Sequence, residues 1–127
     1  MAIEGPTGRP LWARDHGGAG GVALTSSYAV VTDSQGGVFG LDKPSGAAAW
    51  SQTGLARRQL SGPAIQGDYV VVGDYKGYVH WLQQSDGAMA ARAKAGGDPI
   101  KAQPVVADGI VLIQNVDGKL TAFRLAQ

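Results

Sequence analysis

The sequence predicts an all-β fold made of β-propeller blades, in which each blade is a sheet of four antiparallel strands. Three observations lead to this prediction. The chain repeats itself with a fixed period of 41, each repeat alternates short β-forming runs with turn dipeptides, and the central run of each repeat is apolar without alternation. Both faces of such a strand must be covered, so the sheets are expected to stack as propeller blades do. The 127 residues hold about three repeats, which predicts about three blades.

The repeat aligns with itself without gaps. Adding 41 to the residue number aligns Pro63 with Pro104 and Gly77 with Gly118. Subtracting 41 aligns Gly77 with Gly36. Apolar residues recur at matching positions as well, and agreement over this length is not expected by chance. The register divides the chain into a single outer strand at 8–14, blades at 22–54 and 63–95, and a blade at 104–127 that lacks its fourth strand.

Runs of β-branched and aromatic residues predict the strands within each repeat. The first strands are predicted at 22–25, 63–66 and 104–107, the second at 28–32, 69–73 and 110–114, and the third at 38–41, 78–82 and 119–124. Fourth strands are predicted at 47–51 and 88–93, with one more strand of this type around 9–14. Residues 88–95 have helical propensity, but this run is too short for a stable isolated helix, and the repeat favours a strand.

Two turn positions recur in every repeat. One is a glycine, placed where a tight hairpin needs a positive φ. The other is an Asp or Asn three positions earlier, whose side chain can hydrogen-bond the backbone two positions on. Recurrence in every repeat favours a turn role for this residue over acid catalysis. The glycines are Gly36, Gly77 and Gly118, and the Asx residues are Asp33, Asp74 and Asn115.

Composition excludes several classes of protein. Frequent Gly and Pro interrupt the chain too often for a helical bundle, and 44% hydrophobic with only 17% charged residues excludes a disordered chain. The 11 basic and 10 acidic residues leave a net charge of +1, so nucleic acid is not an expected partner. The chain has no cysteine, no apolar run long enough to span a membrane, and no signal-peptide pattern at its start.

The remaining motifs that could carry chemistry favour structural or surface roles. Residues 18–23 match a loose G-x-G-x-x-A dinucleotide fingerprint, but a strand follows them where the fingerprint requires a helix N-terminus. His16 lies in a glycine-rich run, and His80 lies in a strand where the other repeats hold non-ionisable residues. We therefore predict no enzymatic activity, no catalytic residue, no metal site and no cofactor.

One stretch resembles the tryptophan-docking motif of quinoprotein-type propeller repeats, A-x-D-x-x-x-G-x-x-x-W. Residues 41–50 read LDKPSGAAAW and end at Trp50, and a shorter match ends at Trp12. Both tryptophans are therefore expected to dock one blade on the next. In the following repeat Gln83 and Ala91 replace the Asp and the Trp of the motif, so the docking contact there is expected to be weaker.

A longer stretch resembles the BamB family, the lipoprotein propeller subunits of the bacterial outer-membrane β-barrel assembly machine. The resemblance is carried by residues 67–82, GDYVVVGDYKGYVHWL, together with 104–109 and the Asp-Gly at 117–118. It covers residues 8–127, and it places them among the C-terminal blades of an eight-bladed parent, of which this chain would be a partial propeller.

The resemblance implies a non-enzymatic protein on the periplasmic side of the outer membrane, which contacts the POTRA domains of BamA and assists the folding and insertion of β-barrel proteins. Unfolded outer-membrane proteins are further expected partners, and no quinone cofactor is expected. The chain has no lipid-acceptor cysteine, and the L-x-x-R-G and D-x-D contact loops of the family have no match in it. No partner-binding residue is transferred from those loops.

Arg57, Arg58 and Gln59 are the candidate partner-binding residues of this chain. They lie in the inter-blade loop 55–60 and include the only adjacent basic pair of the sequence. A solvated loop without a partner is the alternative interpretation, since charged residues are common on surfaces. Loops 16–21 and 96–103 are of the same kind, and exposed strand edges offer a further contact surface through β-augmentation.

Two expectations concern the chain as a whole. An alternative function is that of a fragment of a PQQ-dependent dehydrogenase, whose repeats are similar, although the sequence shows neither the Ca²⁺ cage nor the catalytic Asp of such a site. The register also places the next fourth-strand glycine at position 128, immediately past Gln127. We therefore expect the isolated chain to self-associate, most simply by two copies exchanging fourth strands.

Overall fold

The computed structural model describes residues 2–4, 9–12, 21–25, 27–33, 36–55 and 59–124. These residues form strands and turns, and no helix occurs among them. The predicted all-β class is confirmed. In the described part of the chain there is consequently no helix that could cross a membrane.

The strands form one small sheet and three larger ones, and consecutive strands pair antiparallel in each. The small sheet contains β1 (Ala2–Glu4) and β2 (Arg9–Trp12). Sheet 1 contains β3 (Gly21–Leu24), β4 (Tyr28–Thr32), β5 (Val38–Asp42) and β6 (Ala48–Gln52). Sheet 2 contains β7 (Ala64–Gln66), β8 (Tyr69–Gly73), β9 (Tyr78–Gln83) and β10 (Met89–Lys94). Sheet 3 contains β11 (Val105–Ala107), β12 (Ile110–Gln114) and β13 (Leu120–Arg124).

The strands predicted for the three repeats are present, and each bound differs from the predicted one by at most a single position. The alanine-rich run that has helical propensity forms β10, because pairing with β9 satisfies its backbone along one edge. A strand, β2, is present at Arg9–Trp12, inside the stretch 9–14 predicted as an outer strand, and residues 13 and 14 lie outside the described residues. Its place as the outer strand of a blade stays a prediction. Its partner β1 was not predicted, and the sequence around Ala2–Glu4 has no repeat to identify it.

Sheet 2 is covered on both faces, as its uninterrupted apolar strands require. Its even-numbered core residues pack with sheet 1 and with the loop after β6, and its odd-numbered core residues pack with sheet 3. The first cluster contains Val30, Val38, Trp50, Leu55, Leu60, Val70, Val72 and Leu82. The second contains Val71, Val79, Trp81, Ala95, Ile100, Val111 and Ile113.

The recurrent Asx residues make the predicted turns. The Oδ1 atom of Asp74 accepts from the backbone N–H of Lys76 at 2.9 Å and of Tyr78 at 3.0 Å. Asn115 Oδ1 accepts from the N–H of Asp117 and of Lys119, both at 3.0 Å. Asp33 Oδ1 likewise accepts from the Gly37 N–H at 2.8 Å. The turn role predicted for these residues is confirmed.

The hairpin glycine of sheet 2 is restricted by two features. Gly77 has a φ of +86°, which side chains rarely tolerate. A Cβ atom at Gly77 would also lie 2.6 Å from the backbone nitrogen of Gly97. The loop cannot easily withdraw, because the N–H of Ala95 donates to the Gly77 carbonyl at 2.7 Å. Gly118 has the same φ of +86°, but a Cβ atom there would have no neighbour within 4 Å.

We expect Gly77→Val to destabilise the chain far more than Gly118→Val, and to the point of unfolding. Both variants incur the positive-φ strain of roughly 1–2 kcal/mol, but only Gly77→Val adds a clash with fixed backbone. Urea denaturation followed by circular dichroism measures the two free energies of unfolding. Equal losses in the two variants would show that the contact with Gly97 does not restrict this position.

Candidate functional site

The predicted partner-binding loop is anchored in the core at both ends. Leu55 and Leu60, which flank it, are buried between sheets 1 and 2. Gln59 is exposed and has a φ of +51°. Arg57 and Arg58 lie outside the described residues, so their contact role stays a prediction. The anchoring leucines show that this loop belongs structurally to the junction between the two sheets.

Trp50 docks sheet 1 on sheet 2. Its ring covers Gly40 of its own sheet and Gly87 of the next, and a Cβ at either glycine would lie 2.3 Å from a ring atom. The indole Nε1–H donates to the carbonyl of Gln84 at 3.0 Å. Gln52 adds a second link, since its Nε2 donates to the Gly87 carbonyl at 2.9 Å. The motif residue therefore joins the two sheets by packing and by hydrogen bonding.

The motif position of the next repeat holds Ala91, which is exposed, and another tryptophan, Trp81, packs against the neighbouring sheet instead. The weaker strength expected for this docking contact stays a prediction. In sheet 1 Gly40 pairs across the strands with Trp50. The equivalent positions of the next repeat are Trp81 and Ala91, which also pair across the strands. In sheet 1 the third strand carries the small residue and the fourth strand carries the indole. In sheet 2 the third strand carries the indole and the fourth strand carries the small residue. The exchange keeps one indole between neighbouring sheets.

Trp81 contacts sheet 3 through a buried glutamine. Its Nε1–H donates to Oε1 of Gln66 at 2.8 Å, and its ring packs edge-on against Phe123 with centroids 5.2 Å apart. The Nε2 group of Gln66 donates to the carbonyls of Gly109 at 3.0 Å and Phe123 at 3.1 Å. Gln66 is fully buried, so these bonds satisfy a side chain that would otherwise be costly to bury. Sequence reasoning missed this link; a Trp opposite an Ala was the signal for it.

A buried Asp–His pair lies within sheet 2. Nε2 of His80 is 2.8 Å from Oδ2 of Asp74, and both side chains are almost fully buried. Burial raises the pKa of the Asp74 carboxyl, but hydrogen bonds from His80 and from the N–H groups of Tyr78 and Lys76 outweigh burial and hold that pKa below its usual range. Asp74 is therefore ionised, and His80 donates to it. This arrangement joins the turn to the strand, and it gives His80 a structural role inside sheet 2.

A second pair of titratable groups lies at sheet 3. A hydrogen bond with Asp117, and then the negative charge of Asp117, raise the pKa of the Asp98 carboxyl, while Lys119 opposes this rise. Both carboxyl groups belong to loops at the same end of the sheets. Within the described residues, no group of three or more His, Asp or Glu side chains is placed to hold a metal ion.

An open cavity of about 310 Å³ lies beside the junction of sheets 1 and 2. It is lined by Leu55 and Gly54 after β6, by His80, and by the start of β10 from Met89 to Arg92. Its lining combines apolar surface with a single formal cation, Arg92. Such a site suits an apolar side chain accompanied by a negative charge.

Several residues that the sequence singled out for a role do not belong to the part of the chain that the structure describes. Trp12 ends β2, and its side chain lies outside the described residues, as do His16 and all of the loop 16–21 except Gly21.

The loop 96–103 is described, and Nε2 of Gln103 donates to the Pro63 carbonyl at 2.6 Å and to the Val22 carbonyl at 3.2 Å. This loop therefore links all three sheets.

Comparison with known proteins places these features in a family. The family model described as outer membrane protein assembly factor BamB matches residues 1–59 and 36–126. The assembly factor BamB of Xanthomonas campestris pv. campestris is 69% identical over 127 residues, which cover 100% of this chain and 31% of that protein. The chain thus spans about a third of the length of this relative.

Two solved structures share the arrangement of strands. The crystal structure of BamB from Moraxella catarrhalis matches with a TM-score of 0.76 and 25% identity, over 82% of this chain and 30% of that one. A quinohemoprotein alcohol dehydrogenase from Pseudomonas putida matches with a TM-score of 0.69 and 21% identity, over 85% of this chain and 19% of that one. The second likeness shows the fold alone.

Trp50→Ala is expected to lower the free energy of unfolding by about 3–5 kcal/mol, because it removes a buried ring between two sheets. Arg57→Ala, a change in the loop, should stay within about 0.5 kcal/mol of the unaltered chain. Chemical denaturation of both variants measures the difference. Similar values would contradict the docking role of Trp50.

Asp74→Asn is expected to destabilise the chain by about 1.5–3 kcal/mol at pH 7, because charge-assisted hydrogen bonds are lost. Asn can still make the turn, as Asn115 does in sheet 3. The folded pKa of Asp74 is lowered, so its stabilisation is complete above the unfolded pKa and is lost as the pH falls below about 4. Melting temperatures from pH 7 to pH 2.5 should converge for the two proteins; parallel curves would exclude this linkage.

Proposed function

The chain belongs to the BamB family of outer membrane protein assembly factors, and from this membership we propose that it acts as a non-enzymatic propeller scaffold. In this role it assists the folding and insertion of β-barrel proteins into the outer membrane. The observation that carries the proposal is the 69% identity with the Xanthomonas assembly factor over the entire chain. The family match along both halves of the chain supports it.

The geometry of the motif residues supports a scaffold role. Trp50 and Gln66 donate hydrogen bonds from one blade to the next, and Trp81 donates to Gln66 within its own blade. The ionised Asp74 is buried and bound by His80 and by two backbone N–H groups. These groups either join neighbouring blades or stabilise a single blade, and their hydrogen bonds are made to the protein itself.

The proposed place of action is the periplasmic side of the outer membrane, with the POTRA domains of BamA and unfolded outer-membrane proteins as partners. Within this chain, Arg57, Arg58 and Gln59 are the proposed contact residues, because their loop is anchored by Leu55 and Leu60 at a blade junction. Loops on rigid blades are common sites of partner recognition.

Self-association of the isolated chain is a further part of the proposal. The outer face of sheet 3 exposes Val105, Leu112 and Leu120 by 60%, 43% and 64%. The positions of sheet 2 equivalent to Leu112 and Leu120 hold Val71 and Val79, which are fully buried against sheet 3. An equivalent apolar face is thus open, and a second copy would cover it.

The dehydrogenase alternative has less support. The likeness to the quinohemoprotein enzyme rests on 21% identity and concerns the fold alone. The identity with the Xanthomonas assembly factor is 69% and extends over the whole chain.

The proposal is tested by exchanging this chain into a relative. In Xanthomonas campestris, the matching segment of BamB is replaced by the present sequence, and folded β-barrel proteins in the outer membrane are quantified by their heat-modifiable migration on gels. We expect the hybrid to restore the wild-type amount, because the blades and their junctions are equivalent. The matched control is the hybrid that also carries Gly77→Val, which should not restore it. A hybrid that accumulates at normal levels without restoring assembly would overturn the proposal.

A further inference from the structure

The outer strand of sheet 2 carries a cluster of cations at one end. The guanidinium carbon of Arg92 lies 5.2 Å from the ring centre of Tyr78, and Nζ of Lys94 lies 5.8 Å from the same ring. Two cations therefore share one aromatic ring, which places their charges together. Within the described residues, neither cation is within ion-pair distance of a carboxylate. The cluster leaves its positive charge available to a partner.

The repeat shows that the fold does not require this cluster. The positions of the preceding repeat that correspond to Tyr78, Arg92 and Lys94 hold Gly37, Ser51 and Thr53. Sheet 1 forms the same four strands with these small neutral residues. The cations of sheet 2 therefore contribute something other than the formation of a blade.

The cluster adjoins the cavity described above. Arg92 belongs to both, and His80, which lines the cavity, pairs across the strands with Arg92. Met89 lines the cavity at the start of β10, and Lys94 ends the strand. At about 3.3 Å per residue, an extended segment beside β10 would span both features within about six residues.

The edge of β10 offers backbone groups for such a segment. β10 is the outermost strand of sheet 2, next to β9 only, among the strands that the structure describes. Its side chains are mostly exposed, and four of its six residues are Ala or Met, so a neighbouring strand meets little steric hindrance. Charged residues at an edge oppose pairing with neutral or basic strands. The same positive charges favour pairing of this edge with an acidic strand.

We propose that the β10 edge binds an extended acidic segment of a partner protein by β-augmentation. The backbone of the segment pairs with β10, one apolar side chain enters the cavity beside Leu55 and Met89, and carboxylates further along meet Arg92 and Lys94. This inference goes beyond the proposed function, because its test measures binding by the purified protein and does not depend on assembly activity.

The probe is a fluorescein-labelled short peptide in which valine and glutamate alternate five times, and binding is followed by fluorescence anisotropy. The variant Arg92→Ser with Lys94→Thr installs the residues of sheet 1 and should weaken binding about five- to tenfold, since each exposed charge pair contributes modestly. The matched control, Arg124→Ser with Lys101→Thr, removes the same charge elsewhere and should change binding less than about twofold. Equal weakening in both variants would overturn the proposal.

Two further measurements test the geometry. The same peptide with its backbone nitrogens methylated should not bind, and amide exchange should slow in β10 but not in β6 when the unmodified peptide binds. Retained binding after methylation, or protection elsewhere, contradicts strand addition. Charge reversal, Arg92→Glu with Lys94→Glu, should instead bind a valine–lysine peptide, and thermal melts confirm that each variant is folded.

A membrane surface is the competing target for exposed cations. Vesicles of phosphatidylglycerol and phosphatidylcholine are therefore offered in place of the peptide, with sedimentation as the readout. We expect the unaltered protein to stay in solution, because two cations provide little attraction to an anionic surface. Sedimentation that is lost in the Arg92→Ser with Lys94→Thr variant would assign the cluster to lipid and overturn the proposal.

Discussion

Burial of both faces of the inner strands is the constraint on which the rest of the structure depends. Val70, Val71 and Val72 follow one another along β8 with no polar residue between them, and all three are fully buried. Adjacent residues of a strand point to opposite faces, so sheet 2 cannot bury this run against one neighbour alone. It needs sheet 1 on one side and sheet 3 on the other, and blade-on-blade stacking follows from this need.

Stacking alone does not fix the separation and register of the sheets, and the indole contacts provide this. Trp50 and Trp81 each fill the space between two sheets. The indole of Trp50 donates directly to the next sheet, whereas that of Trp81 donates to Gln66 of its own sheet, and the Gln66 amide in turn donates to sheet 3. A displaced sheet would break these bonds between sheets. The exchange of Gly40 and Trp50 for Trp81 and Ala91 shows that the contact depends on one large and one small residue across a strand pair. The order of the two residues is free.

The repeat made most of the fold predictable from the sequence, because strand positions, turn glycines and Asx turns recur at a fixed spacing. Where the repeat changes, sequence reasoning was less successful. The motif pointed only to Ala91 at the second docking contact and gave no reason to consider Trp81. A large residue on one strand can replace a small one there when its cross-strand partner changes from large to small, and this exchange becomes visible only once the strand pairing is known. The pairing of His80 with Asp74 was also invisible in the sequence, because the two positions meet only when β9 folds back beside its turn. β1 lies outside any repeat and had no pattern to reveal it.

Comparison of the repeats also distinguishes positions whose residue type the fold requires from positions whose residue type can change. Asp74 keeps its type or its close relative Asn in all three units, and its oxygen binds the same turn in each. Arg92 replaces Ser51 within the fourth strand of its sheet, and Lys94, which ends β10, replaces Thr53, which directly follows β6. Exposed charges on long side chains cost the blade little, because their ends stay hydrated, so these positions can change while the core does not. Recognition by a propeller can therefore reside in single blades while the interior stays repetitive, because the side chains of the outermost strand β10 are mostly exposed and its free edge faces the surroundings among the described strands.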